Sequence, residues 1–131
     1  MTARELITEY LTAARTGDWN TAFGYFADDI VFRVPGRSRF AGELRGKEAA
    51  VEYIQSFRDH YGEGEIEVEL IDMLASDDRV ALLVRERFLG DEAVEIRRAN
   101  VYRVRDGAIA EITIFEGDQY TVDALMQKLD G

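Results

Sequence analysis

The sequence contains no cysteine, which excludes disulfides, thiolate metal sites and thiol nucleophiles together. Its single histidine, His60, cannot build a multi-histidine zinc site, so a catalytic zinc would have to take most of its ligands from carboxylates. His60 falls near the end of a predicted helix, where a cation suits the negative end of the helix dipole, and that structural role is the simpler reading. Long apolar runs are also missing. The longest is Val80–Val84, against the roughly 20 residues a membrane-spanning helix needs. The segment Met1 to Leu6 lacks the basic flank and apolar stretch of a secretory signal, so a soluble cytoplasmic protein is expected. Positive charge is scarce: 16 Lys and Arg against 26 Asp and Glu leave a net charge of −10. Such a surface repels nucleic acid phosphates and anionic membranes.

What is present suffices for a core. A chain of 131 residues is expected to form one domain over 1–131, able to bury roughly two-thirds of the surface that its unfolded form exposes. Apolar residues from Leu6 to Ala14 recur at helical spacing, and Gly17-Asp18 stops that helix and caps the next, which Trp19, Ala22, Phe23 and Phe26 continue as far as Asp28-Asp29. Ile30 to Val34 reads as a strand halted by Pro35-Gly36. Arg39 to Arg45 fits an irregular hairpin, and Lys47 to His60 a third helix. Beyond Gly62 and Gly64 the period becomes two, with Ile66, Val68 and Leu70 expected on a buried face. Arg79–Leu89, Ala93–Arg105 and Ala108–Phe115 are further strands in an antiparallel meander, the last two joined by the Asp106-Gly107 turn. Asp118 is positioned to cap a final helix carrying Tyr120, Val122, Leu125, Met126 and Leu129. Helices followed by such a sheet define an α+β fold.

Several segments, in order, carry a family resemblance: Tyr10 to Ala14 followed by Thr16-Gly17-Asp18-Trp19, Phe26-Ala27-Asp28-Asp29, Leu44-Arg45-Gly46-Lys47-Glu48-Ala49, and Arg105 to Glu111. Together they resemble the nuclear transport factor 2-like superfamily, in particular its SnoaL-like and ketosteroid isomerase-like branches. The resemblance implies a cone-shaped, curved antiparallel sheet wrapped around N-terminal helices (a cystatin-like roll), a pocket at its wide end, and often a homodimer. It implies no single reaction, because the superfamily spans isomerases, polyketide cyclases, lyases and binding proteins.

Three positions can be compared with the isomerase pattern, in which a helical tyrosine and a strand acid hold an oxyanion while an aspartate on the first strand moves the proton. Tyr10 matches the tyrosine. Val34 stands where the aspartate would be and cannot accept a proton. Asn100 stands at the second oxyanion position, where its amide can donate.

If Asn100 faces inward, alternation also turns Arg98 and Tyr102 inward. An unbroken register from Asp106-Gly107 then sets Tyr102 opposite Glu111, Asn100 opposite Thr113 and Arg98 opposite Phe115. Glu111 thereby becomes the leading acid/base candidate and Glu86 the second. Phe26, Phe32, Val34, Tyr53 and Phe57 complete the expected lining, with Arg98, Tyr102, Thr113 and Phe115. Each polar candidate also has a structural reading: Tyr10 as a core aromatic, Asn100 as a satisfied sheet residue, Glu111 as an ion-pair partner of Arg98 or Arg103. The opposite face, with Ala81, Leu83, Ala99, Val101, Ile112 and Ile114, is too apolar to stay exposed, which predicts a homodimer through the sheet. The expected function is a SnoaL-like cyclase, isomerase or lyase that needs no cofactor or metal and acts on a small apolar or polyketide-like molecule. The alternative is a ligand-binding or dimerisation domain of the same fold without turnover.

Overall fold

A computed structural model describes residues 1–61, 65–90 and 93–130, with side chains described except at positions 60, 61 and 128–130. The expectations placed on the side chains of His60 and Leu129 and on Gly62 and Gly64 lie outside what is described. The elements are α1 (Ala3–Arg15), α2 (Trp19–Gly24), β1 (Phe26–Val34), β2 (Gly42–Arg45), α3 (Lys47–Tyr61), β3 (Ile66–Ala75), β4 (Arg79–Leu89), β5 (Ala93–Arg105), β6 (Ala108–Glu116) and α4 (Gln119–Asp130).

Local chemistry sets the helix ends. Thr2 and Glu5 form a reciprocal capping box on α1, satisfying two backbone N–H groups that a helix start otherwise leaves unpaired. Asp18 accepts the Thr21 N–H at the start of α2, and Asp118 accepts the Thr121 N–H at 3.1 Å ahead of α4. The stripe Leu6, Ile7, Tyr10 and Ala13 is buried, at the spacing that puts one helix face against a sheet.

One curved sheet runs in the order β2-β1-β6-β5-β4-β3. The fold class is as expected, with one addition: β1 and β6 pair in parallel, whereas the remaining neighbours are antiparallel. Helix α1 packs on β4 and β5, and α3 packs on β1 and β2. That leaves the concave side between them to be closed by side chains.

Several boundaries differ from the sequence expectation. Helix α2 stops at Gly24, and the chain is already extended at Phe26, so Asp28 and Asp29 lie within β1 rather than at a helix end. Both are exposed, and Asp29 Oδ1 accepts a 2.6 Å hydrogen bond from Arg105. Strand β3 continues to Ala75 across a bulge between Leu70 and Asp72. It is an edge strand, so its inward face is only partly covered, and Val68 is 53% exposed. On α4, Val122, Leu125 and Met126 are buried while Tyr120 points to solvent.

The decisive departure is in β6. Arg105 pairs with Ala108 and Val104 with Ile109, as the two-residue turn requires, but Arg103 then pairs with Glu111. Ala110 is the extra residue of a β-bulge, and a one-residue slip exchanges the two faces of the strand beyond it. Tyr102 therefore faces Ile112, Asn100 faces Ile114 and Arg98 faces Glu116.

Candidate functional site

The concave side encloses a cavity of about 330 Å³. Its inner walls come from α1 (Tyr10), β1 (Phe32), α3 (Tyr53), β5 (Tyr102) and β6 (Ile112 and Ile114), all buried side chains. Its outer part is formed by Trp19, Phe57, Arg58, Ile66 and Val68, which are half-buried or exposed. The aromatic rings pack on one another. Tyr10 lies 5.8 Å from Tyr102 between ring centroids, and Tyr53 meets both Phe32 and Phe40 edge-on at 5.2 Å. Such tilted and edge-to-face contacts stiffen an apolar wall beyond what area burial alone supplies.

Burial pushes the phenols of Tyr10, Tyr53 and Tyr102 upward in pKa, because a phenolate would lose its hydration there. All three stay protonated at neutral pH and act as donors rather than bases. Tyr10 and Tyr53 have ring contacts but no hydrogen bond to protein among the described residues.

An acidic cluster lies beside them. Arg98 Nε and Nη2 donate to the two carboxylate oxygens of Glu116, both at 2.9 Å. Arg98 Nη1 stands 3.4 Å from Glu86 Oε2. The side chains of Glu116, Arg98 and Glu86 are 3%, 9% and 15% exposed. Desolvation, with a further push from the Glu86 and Asp123 carboxylates, raises the Glu116 pKa against the lowering by Arg98. The Arg98 pKa lies above its ordinary value, with the surrounding carboxylates outweighing the desolvation that pulls it down, so it stays charged. Next along β5, Asn100 turns its side chain into the cavity, and its Oδ1 is buried without a hydrogen-bond partner among the described residues. Rotation about χ2 lets the amide present either an acceptor or N–H donors there. A buried polar atom left without a partner is costly, so a ligand is the natural group to fill it.

Of the residues singled out from the sequence, Tyr10, Phe32, Tyr53, Phe57, Glu86, Arg98, Asn100 and Tyr102 are brought together around the cavity. Glu111, Thr113 and Phe115 are not: the Ala110 bulge turns them to the outer face. There Glu111 accepts from Arg33 at 2.8 Å and Arg103 at 3.0 Å, and those two guanidinium groups lower its pKa. A half-buried, doubly paired carboxylate outside the cavity cannot serve as its acid/base group. Ile112 and Ile114, expected on the outer face, are buried inside. Phe26 is buried behind Tyr10 at 5.7 Å, and Val34 is buried beside β2; neither is part of the lining.

Sequence reasoning missed Glu116, Trp19, Ile54, Arg58, Ile66 and Val68. A signal for Glu116 existed, since Ile109 is out of phase with Ile112 and Ile114 and no regular strand can bury all three on one face. Among the described residues, no cluster of three or more His, Asp or Glu side chains is arranged to hold a metal, and no helix is long and apolar enough to cross a membrane.

The geometry is that of a known class. A family model described as a SnoaL-like domain matches residues 7–112, and the chain belongs to that family; solved structures described as NTF2-like proteins share its fold. Among solved structures, Bal32a from a soil-derived mobile gene cassette aligns at 26% identity over 93% of this chain and 94% of that one, with a TM-score of 0.83. An NTF2-like protein from Anabaena variabilis aligns at 22% identity over 88% and 90%, with a TM-score of 0.76. TerC, co-crystallised with polyporic acid, aligns at 15% identity over 95% and 98%, with a TM-score of 0.79. No curated protein gives a significant sequence match.

Proposed function

We propose that the cavity binds a small apolar, oxygen-bearing organic molecule and catalyses a cofactor-independent proton transfer on it, of the kind used in cyclase, isomerase or lyase reactions. The observation that carries this reading is the unpartnered Asn100 amide beside Glu86 in an aromatic cavity. Glu86 is the acid/base group, because it lines the cavity and its contact with Arg98, 3.4 Å, is longer than the two 2.9 Å hydrogen bonds that tie Arg98 to Glu116. As a carboxylate it takes a proton from the carbon next to a carbonyl. Tyr10 and the Asn100 amide donate to the enolate oxygen that forms, and the protonated Glu86 returns its proton at another carbon. A relative of the same fold that holds polyporic acid fits a small-molecule cavity.

The test is a thermal-shift screen of aromatic ketones, enones and epoxides, followed by mass spectrometry of the stabilising compounds after incubation. Converted product is expected, with Glu86→Gln lowering turnover by about 10²-fold or more and Tyr10→Phe by less. Recovery of every stabilising compound unchanged supports the second reading, a ligand-binding domain without turnover. That reading is favoured by the apolar Val34 on β1, where a carboxylate would otherwise serve as base.

A second copy of the chain is the proposed partner of the outer sheet face. Ile71 and Phe115, 46% and 57% exposed, join Leu83 and Ala99 in one apolar depression. Ion pairs such as Arg85–Glu69 and Arg103–Glu111 flank it, the arrangement of an interface with an apolar centre and a polar rim. Light scattering coupled to size exclusion is expected to give a dimer that Phe115→Asp converts to a folded monomer; a monomeric wild type at micromolar concentration would falsify the assignment.

A further inference from the structure

The cavity is electrically asymmetric along its depth. Its buried wall carries Glu86 and Arg98, with Glu116 bound to Arg98 behind the lining, so that two carboxylates stand against one guanidinium whose nitrogens already face them. Its open end carries a cation. The Arg58 guanidinium lies over the Trp19 ring, 4.9 Å from the centroid, and both residues border the cavity. Stacking on an indole holds a guanidinium in place while leaving its edge donors available. A groove between α1 and β3 shares Tyr10, Trp19 and Tyr102 with the cavity and adds Arg15 on the same side of Trp19's wall. Neither Arg58 nor Arg15 has a carboxylate partner among the described residues, whereas Arg33, Arg45, Arg85, Arg98, Arg103 and Arg105 all do. In a chain of net charge −10, a cationic rim above an acidic floor is a local reversal of the overall field.

We propose that the ligand is a flat apolar molecule with a neutral oxygen function at one end and an anionic group, such as a carboxylate, at the other. It enters with the neutral end toward Asn100 and Glu86 and leaves the anion at the rim beside Arg58. This rests on the reading of the cavity as a ligand site and adds the ligand's charge and orientation. A hydroxyl or carbonyl satisfies the Asn100 amide and accepts from the tyrosine phenols, whereas a carboxylate at the floor would meet two buried acids with no uncommitted cation. At the rim the same carboxylate gains a solvent-exposed ion pair, a modest and salt-sensitive term.

Isothermal titration calorimetry with four bicyclic probes tests the assignment: 2-naphthol, 6-hydroxy-2-naphthoate, 2-naphthoate and naphthalene-2,6-dicarboxylate. At low salt 6-hydroxy-2-naphthoate is expected to bind about threefold tighter than 2-naphthol, a preference, read as the ratio of the two affinities within each protein, that is lost in Arg58→Ala and in 0.5 M salt. The dicarboxylate, which must place an anion at the floor, is expected to bind at least tenfold more weakly than 6-hydroxy-2-naphthoate, and 2-naphthoate to fall between them. Equal affinity for the dicarboxylate would mean that Arg98 turns to the ligand, and it overturns the inference. A carboxylate preference that survives Arg58→Ala, Arg15→Ala and the double variant overturns it equally. If 2-naphthol binds without any of these preferences, the ligand site stands and the charge assignment falls; if no probe binds, both fall.

Discussion

Glu111 and Glu116 sit on the same strand and each accepts hydrogen bonds from arginine, but they belong to different parts of the molecule. Glu111 is on the outer face between Arg33 and Arg103, its side chain 24% exposed and its partners 40% and 38% exposed. Glu116 is on the inner face against Arg98, with side chains 3% and 9% exposed. The acid–arginine chemistry is the same, and the pKa directions are opposite. The outer carboxylate is lowered by its two guanidinium partners, whereas the inner one is raised, because burial, together with the nearby Glu86 and Asp123 carboxylates, outweighs its single shared guanidinium. Access to water, set by which face of β6 each residue occupies, decides what each cluster can do. The inner cluster is poised beside a cavity; the outer one is a surface ion-pair network.

The strongest way to break that contrast is to put an unpaired acid on the inner face of β6. Ile112 is 2% exposed and pairs with Tyr102; Ile112→Asp gives up about 1.5–3 kcal/mol of apolar burial, and a buried carboxylate with no guanidinium of its own adds more. Against a total stability of about 5–15 kcal/mol, the variant is expected to lose its cooperative thermal transition by circular dichroism. A variant that melts cooperatively within a few degrees of the wild type would show that the inner face is as open to water as the outer one.

The next effect compares the two clusters directly. Arg98→Ala leaves Glu86 and Glu116 buried without their cation, and removing one member of a buried ionic group costs about 3–5 kcal/mol. Arg103→Ala leaves Glu111 still held by Arg33, and a partly exposed pair contributes about 0.2–1 kcal/mol. Urea unfolding of the two variants is therefore expected to separate them severalfold. Similar losses would mean that the buried cluster relaxes or takes up protons instead of remaining charged and unpaired.

This contrast also marks how far the sequence could be read. Helical stripes, caps and the Asp106-Gly107 turn are local signals, so α1, α3, the β4–β6 meander and the α+β class were legible before any coordinates. Tyr10 and Asn100 were legible because their positions match the isomerase pattern that the chain resembles, and Arg98 and Tyr102 because they follow from an inward Asn100 and a period of two. Glu111 was misassigned because a register carries any single slip through every residue beyond it, and the slip at Ala110 is set by tertiary packing. Ile109 buries in the hairpin's own phase, and Ile112 and Ile114 bury in the shifted one. Trp19, Arg58 and Val68 were not legible for a different reason. They come from α2, α3 and β3, and only the tertiary fold makes them neighbours of one opening.

The subtlest difference between the clusters is in the sign of their pH dependence. Native Glu116 holds its proton more tightly than the unfolded chain does, so the stability linked to it is largest in acid and declines as pH rises through its raised native pKa. Glu111 is the reverse. Its lowered native pKa means that its contribution is present above the unfolded carboxylate pKa and is lost as pH falls through the lowered value. Glutamine at each position removes the titration while keeping the shape. The stability deficit of Glu111→Gln relative to wild type is expected to be about 0.5 kcal/mol near neutrality and to vanish only below the lowered native pKa. The difference between wild type and Glu116→Gln should move the other way, with wild type losing ground to the variant as pH rises from about 4 to about 7. Chemical unfolding of the three proteins from about pH 2 to about pH 7 reads both trends. Parallel trends would mean that the two carboxylates share one environment, and the division of β6 into an inner and an outer acid would not hold in solution.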